Sequence, residues 1–246
     1  MFKIRSIIRE MFIHLKNIKI KQDEINNRLI ELEWSQIYHD SIRGKKWIEE
    51  LPLNIGRWAG NYTFFYVLYR ILSEVKPKSI LELGLGESTK YISTFIENEL
   101  LETKHLVVEH DLDWANNFTK KFSLSKNTEV LHLNLNESTI SGLSKFNYQN
   151  FDNIISDEFD FFLIDGPFGS ERESRDDIIE LVKNFNHDRS FVIMFDDSNR
   201  KGEHETIINL INILEEKQIK YFTFTYSGNK SVTVIASKEY KYLSSL

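Results

Sequence analysis

The chain has 246 residues, 41% of them apolar with 18 Phe and 10 Tyr, which suits one α/β domain of ordinary size plus an appendage. A formal charge of −6 argues against nucleic acid as the main partner, because phosphate binding favours a basic footprint. Having no cysteine excludes a disulfide framework and thiolate metal sites and fits a reducing compartment, and no apolar run approaches the roughly 18 residues of a membrane span.

Residues 1–38 predict an amphipathic helix. Ile4, Ile8, Met11, Leu15, Ile18, Gln22, Ile25, Leu29, Leu32 and Gln36 follow the alternating four-three spacing of a coiled-coil seam, with Gln22 and Gln36 as polar positions that fix register. Arg9, Glu10 and His14 interrupt any signal-peptide core, so this segment is expected in the mature chain. Its partner is read as a second copy of the chain, giving a homo-oligomer. Six Lys and Arg against Glu10 alone in the first 21 residues leave peripheral contact with an anionic membrane as an alternative, and packing on its own domain as a third. The expected location is cytoplasmic, at the inner membrane face if that basic stretch touches lipid.

Residues 39–76 predict further helices that lead into the domain of residues 77–246 and are expected to cover its active site. There, short apolar strands (Ser79–Leu83, His105–Glu109, Thr128–Leu133, Phe159–Ile164, Phe191–Phe195) alternate with amphipathic helices over Ser88–Glu97, Asp113–Phe122, Ser174–Phe185 and the stretch around Ile207–Leu214. Such alternation implies right-handed βαβ units and a parallel sheet covered on both faces. The end differs: Tyr221–Tyr226 and Ser231–Ala236, joined by Ser227-Gly-Asn-Lys230, read as an antiparallel hairpin.

Ligands of open α/β sheets bind at the carboxyl ends of the strands, so the residues following each strand carry the chemistry. After the first come Glu82-Leu-Gly84-Leu-Gly86-Glu87-Ser88-Thr89. The two glycines permit a sharp bend and close approach by a ligand, whereas a dinucleotide site would want a third glycine where Thr89 stands. The acid ahead of them repels phosphate and suits a cationic ligand. Glu109, ending the second strand, is placed to accept two ribose hydroxyls; Asp111 is expected to cap the next helix. The fourth strand runs into Asp165-Gly-Pro-Phe-Gly169, followed by Arg172 and Arg175. The fifth ends in Asp196-Asp197-Ser-Asn-Arg200-Lys-Gly-Glu203-His204. Carboxylates from two neighbouring strand ends face one crevice, where Asp165, Asp196 and Asp197 could hold Mg or Mn, or one could act as general base. Ion pairs with Arg175 and Arg200 are the structural alternative. Arg172, Arg175 and Arg200 are candidates for an acidic substrate group, His204 for a base, and Trp58 for stacking on a sugar.

The Glu-x-Gly-x-Gly loop, the acid after the second strand and the closing hairpin resemble the class I S-adenosylmethionine-dependent methyltransferases. Asp165-Gly-Pro-x-Gly169 with Arg175, then Asp197-x-x-Arg200-x-x-Glu203, is similar to the glucuronoxylan 4-O-methyltransferase family. The run from Tyr62 to Lys90 resembles bacterial methyltransferases of capsule and O-antigen synthesis. The resemblance implies a Rossmann-like α/β fold and S-adenosylmethionine as cofactor, held by Glu82, Gly84, Gly86, Ser88, Glu109 and Asp165. It implies O-methylation of a saccharide hydroxyl, with Asp165, Asp197 and His204 as catalytic candidates. Two other readings compete: a nicotinamide-dependent oxidoreductase on nucleotide sugars, and a catalytically idle scaffold. The cationic-ligand reading requires Glu82 and Glu109 to face the crevice. Either one turned away from the crevice into a structural ion pair, or the bend closed off, would overturn it.

Overall fold

A computed structural model describes residues 2–56, 59–154 and 159–245. The chain opens with one continuous 41-residue helix, α1 (Phe2–Ile42). Glu31, Tyr38 and Ile42 are buried against the domain, with Trp34 and Ile37 packed beside them. Residues 9–30 are exposed all round. The expected run of helices over 39–76 is interrupted. A single turn, α2 (Lys46–Glu49), is followed by irregular chain through 51–56, where Pro52 and Gly56 break the helical pattern. Helix α3 (Tyr62–Arg70) starts at Asn61, whose side chain accepts the Phe64 N–H at 3.1 Å as an N-cap. Among the described residues no helix is long and apolar enough to cross a membrane.

The remaining elements alternate as expected: β1 (Ser79–Leu83), α4 (Glu87–Asn98), β2 (Lys104–Glu109), α5 (Leu112–Lys121) and β3 (Thr128–His132). An additional hairpin, β4 (Leu135–Ile140) and β5 (Leu143–Tyr148), turns through Ser141 and Gly142, both at positive φ. Then come β6 (Phe161–Ile164), α6 (Asp177–Val182), β7 (Val192–Phe195), α7 (Lys201–Glu216), β8 (Tyr221–Ser227) and β9 (Ser231–Ser237). The helix expected over Ser174–Phe185 is only six residues long: Ser174, whose hydroxyl donates to Glu203 at 3.0 Å, and Arg175, held by the ion pairs described below, lie outside it.

Seven strands form one sheet in the order β3-β2-β1-β6-β7-β9-β8, parallel except for β9, which runs antiparallel to both neighbours. This is the Rossmann-like sheet of methyltransferase type anticipated from the sequence. Alternation of side chains explains why its central strands are apolar throughout. In β6, Phe161 and Leu163 enter the core beneath α1, α3 and α4, while Phe162 and Ile164 enter the core beneath α6 and α7. Strand order reverses between β1 and β6, and the crevice expected at such a switch point opens there.

Candidate active site

A cavity of about 690 Å³ lies over the carboxyl ends of β1, β2, β6 and β7. Its floor is made by two loops in contact. Gly84 has φ +99°, a conformation that favours glycine, and a Cβ there would stand 3.1 Å from the backbone of Asp165. Gly166 approaches Gly84 so closely that a Cβ would come within 2.8 Å of it and of the Tyr148 hydroxyl. The loops after β1 and β6 therefore meet backbone to backbone. Gly86 differs: its φ of −169° is open to any residue, and a Cβ would point into free space in the crevice.

The N-terminus of α4 is unfavourable to a phosphate. The Gly86 N–H is taken by Thr89 Oγ1 at 3.0 Å, and Glu87 brings a carboxylate into the first turn. Glu87 also accepts from the Asn54 backbone and side chain at 3.2 and 3.1 Å, which ties the lead-in segment over the cavity. Asn54, Ile55 and Ala59 of that segment line it.

The two acids expected to grip a cofactor behave differently. Glu82 is fully buried and faces away from the crevice: one oxygen accepts from Ser88 Oγ and the other lies 2.9 Å from His105 Nε2. Its position on β1, flanked by β2, directs the side chain onto its neighbour His105 rather than the ligand. Direct cofactor contact by Glu82 is therefore corrected to support of the loop through Ser88, and the requirement that both acids face the crevice fails for this one. Glu109 does line the cavity. Its Oε2 accepts the Leu85 N–H at 2.9 Å and its Oε1 those of His110 and Asp111 at 2.7 Å each. Burial by itself would raise its pKa, but contact with the His110 ring and the Asp111 and Leu85 N–H bonds outweigh it and hold the group below the ordinary carboxylate value. Three of about four acceptor positions are filled, leaving Oε2 one lone pair, enough for one ligand hydroxyl rather than two. Asp111 caps α5 as expected, accepting the Trp114 N–H at 2.8 Å.

On the opposite wall the acids after β6 and β7 converge with three cations. Arg175 is buried, with guanidinium nitrogens 3.2 Å from Asp165, 3.5 Å from Asp197 and 3.8 Å from Glu203. Arg200 lies 2.9 Å from Asp197 and 3.9 Å from Glu203, so the Asp-x-x-Arg-x-x-Glu spacing closes on itself at the start of α7. Lys230, from the β8–β9 turn, bridges Asp196 at 3.3 Å and Asp197 at 3.4 Å. Burial opposes its charge, yet Asp196, Asp197 and Asp165 raise its pKa, as acidic neighbours also do for Arg175. Arg175 and Asp197 both sit at positive φ, 57° and 56°, strain that an interlocked cluster maintains.

Asp165 stands apart. About a fifth of its side chain is open to the crevice, and desolvation, followed by repulsion from Asp196, pushes its pKa up to about 8. Desolvation likewise raises Asp196, which is wholly buried with Oδ1 unpartnered. The three aspartates do bring ligand atoms within 4.8 Å of one another. However, the Lys230 ammonium occupies the bridging role a divalent ion would take, and Arg175 and Arg200 meet the remaining charge. The donor set does not fit a dication as it stands.

Other expected residues are elsewhere. Arg172 pairs with Glu205 at 2.7 Å and is absent from the cavity wall. Its place on a surface turn, opposite α7, gives it a nearer acid than any substrate. His204 is exposed on α7, pointing away from the crevice because that face of the helix meets solvent. Asp196 is behind the wall rather than in it. Arg175 faces the cavity with its donors already used, and Arg200 faces it half exposed. Trp58 lies outside the described residues. Sequence reasoning missed Lys230 and Tyr148, both cavity-lining. The Ser141-Gly142 dipeptide between alternating segments signals the hairpin that carries Tyr148. Nothing in the sequence aims Lys230 inward.

No family model matches the chain, and no curated protein matches it. Solved structures with a similar chain path include an O-methyltransferase from Bacillus cereus in complex with SAH (14% identity, 85% of this chain and 90% of that one, TM-score 0.49). Others are the O-methyltransferase TomG from Streptomyces achromogenes in complex with SAM (12%, 78% and 86%, 0.47) and precorrin-6y C5,15-methyltransferase from Geobacter metallireducens (14%, 77% and 95%, 0.46). At such scores they carry no residue roles to this chain.

Proposed function

We propose that this protein is an S-adenosylmethionine-dependent O-methyltransferase whose acceptor is a saccharide hydroxyl. The observation that carries the reading is the pairing, across one cavity at the sheet's switch point, of an ionised Glu109 with a carboxyl at Asp165 poised near neutrality. A helix N-terminus already occupied by Thr89 and Glu87 argues against a diphosphate cofactor, and so against the nicotinamide alternative.

When bound, the cofactor supplies an electrophilic methyl group on a cationic sulfur. Glu109, ionised and paired with none of the three cations of the opposite wall, would accept a ribose hydroxyl and supply negative charge to the crevice. Ser88, held by Glu82, fixes the bend over which the ligand lies. Asp165 would hold the acceptor hydroxyl and take its proton as that oxygen becomes the nucleophile. A base with a pKa near the working pH is the efficient choice for that transfer. Arg175 and the Asp197–Arg200–Glu203 triad position Asp165, and Asn54, Ile55, Gly56 and Ala59 shield the site from water. Alignment of acceptor and methyl group in such a site is worth roughly 7–11 kcal/mol. Two cavity-lining residues support a sugar as acceptor: the exposed Phe168 offers a stacking face, and Arg200, half exposed at the rim, offers guanidinium N–H donors beyond the one that meets Asp197.

A polysaccharide extract from the native host, incubated with protein and isotopically labelled methyl donor, tests the acceptor. The expected label is stable to mild alkali, as an ether must be. Label released by alkali, meaning a methyl ester on a uronate carboxyl, or label found on nitrogen, overturns the assignment.

A further inference from the structure

We infer that α1 is an assembly helix, whose seam packs in parallel register against the same seam of other copies of this chain. Met11, Leu15, Ile18, Ile25, Leu29 and Leu32 lie on one stripe, each between 57 and 66% exposed. The stripe cannot fold back onto its own domain. At the C-terminal half of α1 the domain takes Glu31, Trp34 and Tyr38, while Leu29, Leu32 and Gln36, on the opposite side of the same turns, remain exposed. Glu31 anchors that face: it accepts from Asn61 Nδ2 and the Tyr62 N–H at 2.6 Å each, and from the Asn229 N–H at 3.0 Å. Trp34 Nε1 donates to the Ser227 carbonyl at 2.9 Å. The seam from Met11 to Gln36 is therefore projected outward over roughly 40 Å of helix at 1.5 Å per residue.

The occupant is identified by self-complementarity. Leu15, Gln22, Leu29 and Gln36 occupy the first core position of successive heptads, and Met11, Ile18, Ile25 and Leu32 the fourth. In parallel register each layer meets itself, so Gln22 and Gln36 find their own amides across the interface, whereas antiparallel pairing sets Gln22 against Ile18. The flanking charges agree. Arg28 and Glu33 fall at positions that face each other between parallel chains, and among the described residues neither is used in an intrachain ion pair. Antiparallel pairing would instead bring Lys19 against Lys19 and Lys21 against Lys21. Leucine at the first core position with isoleucine at the fourth shifts preference from two strands toward more.

Light scattering on the full-length protein tests this directly. A mass of two or more times 29.1 kDa is expected, falling to a single copy in the Ile18→Lys/Ile25→Lys variant with its melting temperature unchanged. Because the chain has no cysteine, Leu29→Cys alone should oxidise to a covalent dimer. A single-copy mass for the wild type overturns the inference. So does a single-copy protein that sediments with anionic phospholipid vesicles, or cross-linking seen only when Met11→Cys is mixed with Leu29→Cys.

Discussion

Replacing Glu109 by Gln keeps its volume but removes the charge and one acceptor oxygen. In the wild type, Oε2 faces the Leu85 N–H and Oε1 faces those of His110 and Asp111. A carboxamide has one oxygen, so whichever way it turns its NH2 confronts a backbone N–H. Turning that NH2 toward Leu85 is the smaller loss and leaves one buried donor unpaired, at a cost of about 1–3 kcal/mol in stability. That same orientation removes the lone pair available to a ribose hydroxyl. A hydrogen bond to a charged acceptor is worth about 1.5–3 kcal/mol, so the dissociation constant should rise roughly 10- to 150-fold. Isothermal titration with S-adenosylhomocysteine, at a temperature well below the melting points of both proteins, measures the second effect separately from the first. An affinity within twofold of wild type would refute the placement of the nucleoside at Glu109.

Asp165→Asn should lower kcat by roughly 10²- to 10⁴-fold, the usual contribution of a general base, with little change in cofactor affinity. In the wild type, kcat/KM should rise with pH toward a limb near 8, followed by initial rates from pH 5 to 9. The sign for stability is opposite. With a folded pKa of about 8 against an ordinary 3.8, the native state keeps a proton the unfolded chain has released, so stability falls as pH rises between those values. Urea titrations should show a decline to which Asp165 contributes up to about 1.4 kcal/mol per pH unit, a share that Asp165→Asn removes, while Asp177, raised to about 7, keeps a slope of the same sign below that pH. Chelation by EDTA should leave activity within twofold; loss restored by magnesium would mean that an ion displaces Lys230. His204→Ala and Arg172→Ala should each retain wild-type kcat/KM within twofold, because neither side chain reaches the cavity.

The parallel strands were readable because each must be apolar on both faces, and a run such as Phe161–Ile164 has no other reasonable place. The closing hairpin was readable from Gly228-Asn229, and the convergence of Asp165 and Asp197 from their places at neighbouring strand ends. Side-chain direction was harder. Glu82 and Glu109 both sit at or near the end of strands whose neighbours are apolar, yet one meets His105 and the other three backbone N–H groups. That choice depends on which side of the sheet each faces and on a partner 23 residues away, which no local spacing encodes. Lys230 was invisible for the same reason: a surface turn, pinned by Glu31 and Trp34 from the far end of the chain, delivers it to Asp196 and Asp197. The helix before Asp177 was overestimated because periodicity ignores the pull of Arg175 toward three acids.

Thermal unfolding of the full-length protein with S-adenosylmethionine, S-adenosylhomocysteine, NAD and NADP in turn is the most direct measurement of whether this crevice takes a sulfonium nucleoside. A ligand present at 100 times its dissociation constant adds about 2.7 kcal/mol, readily seen as a higher melting temperature. Protection by the two sulfur nucleosides alone is the predicted result. No response to either, or protection by a nicotinamide dinucleotide, would contradict the account.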